Sequence, residues 1–138
     1  GKRLFSIRYL DAWCDSAQII VGNEVRYTVR APVVGDQCCR LYRGDANFSN
    51  LVVDDESLDE LLSAYQGLCC RPKDRNIIDA EGYDAAQSRQ GFSACMGNFL
   101  IEVEPRVNCA LIWAFIMVMD DFREQSGSDV YWMCCGYY

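Results

Sequence analysis

The run Val-Asn-Cys-Ala-Leu-Ile-Trp-Ala-Phe-Ile-Met-Val-Met-Asp-Asp at positions 107–121 has no polar side. Asn108 is suited to cap a helix that the pattern predicts from Cys109 to about Arg123, roughly 22 Å long at 1.5 Å per residue. Its first three turns are apolar all round. A helix lying on a sheet keeps one polar stripe, so a helix of this kind is expected to be enclosed on every side. Burying Leu111, Ile112, Trp113, Phe115, Ile116, Met117 and Val118 contributes a gross term of order 10–20 kcal/mol. The run falls short of the ~18 apolar residues of a membrane span and ends in two acids, which sets the membrane reading aside. Something else in the chain must surround it.

The material for that wall is extended. Arg3-Leu4-Phe5-Ser6-Ile7-Arg8-Tyr9 alternates, placing Phe5, Ile7 and Tyr9 on one face with Leu4 opposite. Ala17-Gln18-Ile19-Ile20-Val21 is a short apolar run that stops at the turn signal Gly22-Asn23. Val25, Tyr27 and Val29 share a face of the next strand, and Cys38-Cys39-Arg40-Leu41-Tyr42-Arg43 stays extended until Gly44-Asp45. A weak strand is expected from Phe48 to Val53. Phe99, Ile101 and Val103 alternate before Pro105. Antiparallel hairpins are the economical arrangement of these segments.

Between them the period changes. Ser57-Leu58-Asp59-Glu60 has the form of a capping box, and Leu58, Leu61, Leu62 and Tyr65 follow at helical spacing, with Gly67 able to close the turn. These features predict a short amphipathic helix over about 58–66. Asp54, Asp55, Glu56, Asp59 and Glu60 crowd its N-terminus, where they read as a solvated acidic cap in preference to a calcium site. From Arg71 to Gln90 the chain is polar and weakly patterned, and a long loop is expected there, so that 54–90 reads as an insertion. Residues 91–95 are read as the start of another strand.

Composition removes several classes of function. The chain has 138 residues, enough for one domain with a substantial core. Thirteen basic against 20 acidic residues give a net charge of -7, which argues against nucleic acid and, more weakly, against anionic lipid. With no histidine, Ser-His and Cys-His catalysis and the commonest transition-metal ligand are excluded within this chain. Nine cysteines include three adjacent pairs and no Cys-x-x-Cys, a poor zinc or thioredoxin signature. They read as reduced thiols acting as small hydrophobes, which favours an intracellular reducing compartment; one or two disulfides are the alternative. The opening Gly1-Lys2-Arg3-Leu4-Phe5-Ser6 lacks a signal-peptide core and places Ser6 one position too late for myristoylation.

The segment 98–121 runs Asn-Phe-Leu-Ile-Glu-Val-Glu, Pro, a short turn with Val107 and Asn108, then Ala110 and an aliphatic helix ending in acids. In that order it resembles the plant LURP-one-related family of the tubby C-terminal-like fold. Leu4-Phe5-Ser6-Ile7-Arg8, Val25 to Arg30, and Leu41-Tyr42-Arg43-Gly44-Asp45 look like further strands of it. The resemblance implies a β-rich (α+β) domain over 1–138: a closed antiparallel barrel of about a dozen strands threaded by one hydrophobic helix. It also implies that the chain begins partway through the family domain, and the segments readable here amount to roughly six to eight strands, few for a complete wrap. The barrel is then either reduced or completed by a partner or by further residues. Related phospholipid scramblases carry acidic calcium ligands just before the Asn-Phe, where Cys95-Met96-Gly97 stands here, so calcium binding is not carried over. Tubby proteins bind phosphoinositides through basic residues, for which Arg71, Lys73 and Arg75 are the candidates. The family is linked to plant defence without an established chemistry.

Catalysis is not expected. Cys39 beside Arg40 and Cys70 beside Arg71 are the only hints of an activated thiol, and neighbours on a strand face opposite ways. Asp120 and Asp121 form a possible acid/base pair, but the simpler reading is that they mark the emergence of the helix into water. No cofactor or metal is implied. The tail from Val130 to Tyr138 is the second unusual feature. It either adds a strand to its own sheet or offers Tyr131, Trp132, Met133, Tyr137 and Tyr138 to a protein partner; palmitoylation of Cys134 or Cys135 is a third option. Together these readings describe a non-catalytic scaffold or binding domain contacting a protein or membrane surface. The alternative is an accessory subunit whose incomplete barrel and aromatic tail are covered by its neighbours.

Overall fold

Strands of this chain pair in the order in which they occur. The computed structural model describes residues 2–10, 16–31, 38–46, 58–66, 74–90 and 99–134. These form β1 (Ser6–Tyr9), β2 (Ser16–Val21), β3 (Glu24–Arg30), β4 (Cys38–Arg43), β5 (Glu60–Gln66), β6 (Arg75–Asp79), β7 (Asp84–Gln90), β8 (Phe99–Val103) and the helix α1 (Cys109–Cys134). The eight strands make one antiparallel sheet in the order β1-β2-β3-β4-β5-β6-β7-β8. The fold is therefore β-rich α+β, an antiparallel sheet with one helix against it.

Register builds the inner face. Ala17 pairs with Val29, Val29 with Leu41, and Leu41 with Leu62. One residue pair along, Cys39, Ala64, Ile77, Ala86 and Val103 continue the row across β4 to β8. Because side chains alternate along a strand, these partners all point to the same side. They meet Ile112, Phe115, Ile116, Val118, Met119 and Phe122 of α1 in a single core. Phe5, Ile7 and Tyr9 at one end of the sheet, and Ile101 and Val103 at the other, pack on that same cluster. Both ends thus curve toward one helix.

Local chemistry sets the corners. Gly22 and Gly82 adopt φ of 66° and 89°, a region that favours glycine, in the turns after β2 and β6. The second turn is also held by Asp79, whose Oδ1 accepts from the amides of Glu81 (3.0 Å) and Tyr83 (2.9 Å). Before α1, the amide of Val107 donates to the carbonyl of Glu104 at 3.2 Å, with Arg106 at φ 76°. Asn108 caps the helix as expected: its Oδ1 accepts from the amides of Ala110 at 3.0 Å and Leu111 at 3.3 Å.

Several expectations are corrected. Residues 60–66 are strand β5, not an amphipathic helix. Leu62 and Ala64 face the core while Tyr65 faces out, and ladders on both sides override the helical spacing of the leucines. Glu60 does not complete a capping box; it accepts from Arg40 of β4 at 2.9 Å. Most of the expected loop from Arg71 to Gln90 is β6 and β7, whose inward residues include the small Ala86 and Ser88, which carry little hydrophobic signal. Eight strands agree with the six to eight readable in the sequence, while the full closure that the resemblance implies is not seen: the sheet is open, with no ladder joining β1 to β8 among the described residues.

The helix is also longer than expected, continuing to Cys134 through the first part of the tail, where an added strand was one of the readings. It is enclosed on its inner side only: Trp113 is 51% exposed and Met117 46%. One sheet curving along one side of a helix leaves the opposite stripe uncovered. The expected strand at 48–53, the segment 91–95 and the acids Asp54, Asp55 and Glu56 lie outside the described residues.

The two sides of α1 differ in what they contribute to stability. Phe115→Ala removes a fully buried ring and is expected to cost about 3–5 kcal/mol, whereas Met117→Ala is expected to cost less than about 1 kcal/mol. Urea denaturation of the two variants measures both; equal losses would mean that the outer stripe is covered.

Candidate functional site

Two features of α1 stand apart from the core it completes. The first is its outward stripe. Cys109, Trp113 and Met117, spaced four residues apart, lie one above another on a helix and are all exposed. An apolar stripe facing water on a helix whose other side is buried is the pattern of a contact surface.

The second is a groove of about 330 Å³ at the head of the same helix. Asn108, Ala110, Leu111 and Ala114 form one wall. The other comes from Leu4 and Phe5 ahead of β1, Ile19 and Val21 of β2, and Arg26 and Tyr27 of β3. Ile19 and Ala114 are buried, while Leu4, Val21 and Arg26 are exposed at the rim. The guanidinium of Arg26 meets Glu24 at 2.9 Å, with both side chains more than half exposed, so the pair adds little stability.

Farther along α1, two consecutive acids tie the helix to the sheet. Asp120 Oδ1 accepts from Arg75 Nη2 at 2.5 Å, and the Arg75 side chain is completely buried. Nε and Nη1 of that guanidinium are buried without a hydrogen-bond partner among the described residues. Asp121 Oδ2 accepts from the hydroxyl of Tyr9, whose ring meets Phe122 edge-on at 6.0 Å between centroids. The two acids therefore do not mark where the helix enters water. They anchor it to β6 and β1.

The sequence candidates fall as follows. Arg75 is not part of a polar surface loop; buried and ion-paired on β6, it is withdrawn from any lipid or anion contact. Arg71 and Lys73 lie outside the described residues. Tyr131, Trp132 and Met133 belong to the last turns of α1, and Tyr137 and Tyr138 lie outside the described residues. Cys38 and Cys39 are buried, with Cys39 Sγ donating to the carbonyl of Arg30 at 3.1 Å, and Cys109 is exposed. Among the described residues no group of three or more Cys, Asp or Glu is placed to hold a metal ion, and no helix is long and apolar enough to cross a membrane.

Sequence reasoning missed the Arg75–Asp120 and Tyr9–Asp121 anchors and the groove. The two acids on an otherwise apolar run were the available signal, because a carboxylate on a buried helix requires a donor.

No protein-family model matches the chain, and no curated protein matches it. Among solved structures it is similar to a protein from Arabidopsis thaliana determined by X-ray crystallography, a LURP-one-related protein. The two are 16% identical, with a TM-score of 0.44 over 87% of this chain and 78% of the other. A likeness of that size assigns neither family nor activity.

The anchor at Asp120 is testable. Asp120→Ala leaves the buried Arg75 guanidinium unpaired and is expected to cost about 3–5 kcal/mol, whereas Asp120→Leu combined with Arg75→Met is expected to recover most of that loss. Denaturant midpoints of the single and double variants measure the difference; a single variant as stable as the parent would show that the ion pair is dispensable.

Proposed function

We propose that this chain is a non-catalytic, tubby/LURP-one-like binding domain whose contact surface is the outer stripe of α1. One observation carries the reading: Trp113 and Met117 are half-exposed on a helix that is otherwise the centre of the core. Tryptophan and methionine in the middle of an uncovered surface are residue types suited to anchoring a partner. The stripe has the spacing of a helix-in-groove contact, in which residues four apart insert together. The resemblance of 98–121 to the LURP-one-related family is compatible with the same reading, since that family carries no established chemistry. The partner is a protein surface. A net charge of -7 disfavours an anionic membrane, and Arg75 is no longer available for one.

A photo-crosslinking residue at position 113 is expected to trap a discrete protein adduct in cells, whereas the same residue at the exposed Glu81 is expected to give none. Equal, diffuse labelling at both positions would sink the reading. Flotation of the chain with anionic liposomes, abolished by Trp113→Ser, would replace the protein surface with a membrane.

The second reading, an accessory subunit of a larger assembly, draws on the sheet, which is open between β1 and β8 among the described residues. On that reading the isolated chain exposes apolar surface and is expected to bind the dye ANS strongly. A monomeric chain that unfolds cooperatively and leaves ANS dark would rule it out.

A further inference from the structure

The groove at the head of α1 is a separate site from the outer stripe, and its chemistry is specific enough to name an occupant. We propose that it binds one aliphatic monocarboxylate, the tail lying between α1 and β2 and the carboxylate at Arg26.

Three observations lead there. At about 330 Å³ the groove is at the lower end of the range for small-molecule sites, about 300–1,000 Å³, which suits a single chain better than a large ring system. Its floor is Ile19 and Ala114, and Leu111 lines it from the helix; all three are aliphatic, and nothing on the floor would hydrogen-bond a polar ligand. The backbone of Ile19 is committed to the β1 and β2–β3 ladders, and that of Ala114 belongs to α1. An extended peptide would find no main-chain partners on that floor, whereas an alkyl chain needs none.

Charge selects the head group. Arg26 is the one charged residue lining the groove among the described residues. Its present partner, Glu24, is held at the surface in a pair weak enough for a ligand carboxylate to displace. The first turn of α1 contains no acidic residue, so the positive end of the helix dipole beside the groove is not offset there. Asn108 lines this end as well, and its side-chain oxygen is occupied in capping. A cation would be repelled from this end, and a neutral alcohol could accept a single hydrogen bond from Arg26 but not the charge-paired, bidentate contact open to a carboxylate.

Isothermal titration calorimetry of the intact chain with octanoate, decanoate and dodecanoate, each below its micelle concentration, tests the site. Affinity is expected to rise about fourfold per added methylene until the groove is full. Arg26→Gln is expected to weaken dodecanoate about fivefold while changing dodecanol by less than about twofold. Ala110→Phe, which fills the groove from its helical wall, is expected to abolish binding of both. If that variant fails to fold, the surface change Arg26→Gln decides alone. Three outcomes would overturn the proposal: dodecanol binding as tightly as dodecanoate, carboxylate affinity unchanged in Arg26→Gln, or association only with vesicles containing the carboxylate and never with the monomer.

Discussion

Everything in this structure depends on the contact between the inner face of α1 and the concave face of the sheet. Phe115, Ile112, Ile116 and Val118 are fully buried, and so are the strand residues they meet, Ile19, Val29, Leu41 and Ile77. Neither surface is tolerable in water alone. Apart from Arg75, the sheet's inner face is a row of largely aliphatic and small residues with no second sheet behind it among the described residues, and the helix carries apolar residues on every side of its first three turns. Packing the two together removes both from solvent at once, which is why residues from β1 and β8, at opposite ends of the sheet, pack on a single cluster. At the far end of the contact, the directional bonds of Asp120 and Asp121 replace nonspecific packing. Consecutive residues on a helix point about 100° apart, so these acids reach two different strands, β6 and β1, and fix the rotation of the helix as well as its position.

The strands with clean alternation and the capped apolar helix were legible because period and capping are local properties. β1, β2, β4 and β8 match their apolar faces, and Asn108 caps as its type suggests. In β3 only Tyr27 and Val29 share the inner face: a bulge at Arg26 pairs Val25 with Ile20 and turns it to the other side, a register shift that the alternating pattern does not reveal. β5 was misread because leucines at 58, 61 and 62 with Tyr65 satisfy a helical spacing, while only the ladders with β4 and β6 reveal that the segment is extended. β6 and β7 were missed for a different reason. Their inward positions are Arg75, Ile77, Ala86 and Ser88, of which only the isoleucine is strongly apolar. A strand facing a helix with small residues or a buried charge has no amphipathic signature, so its identity rests on neighbours that sequence does not display. The groove was invisible for the same reason, since its walls come from positions 4–27 and 108–114.

The uniform hydrophobicity of α1 was correctly read as a demand for cover, yet the sheet meets that demand on one side only. Ile112, Phe115, Ile116 and Met119 are spaced for the sheet, and Cys109, Trp113 and Met117 for the side away from it. An all-round apolar pattern can therefore describe a helix with two apolar faces serving different surroundings, as well as one buried whole. In this chain the small residues Ala110 and Ala114 add a third role, because their short side chains leave the space that becomes the groove.

The order of the strands has a consequence for how the protein is made. Every ladder joins chain neighbours, the longest connection being the 16 residues between β4 and β5, so each can form as soon as its second strand emerges. The helix behaves differently: its partners reach back to Phe5, and α1 follows all eight strands in the chain. During synthesis a complete sheet can exist before the ribosome has released any of α1. In that interval the concave face, with Ile19, Val29, Leu41 and Ile77, is bare. Arrival of one helix ends this exposure, which makes the birth of this protein a wait for its last described element.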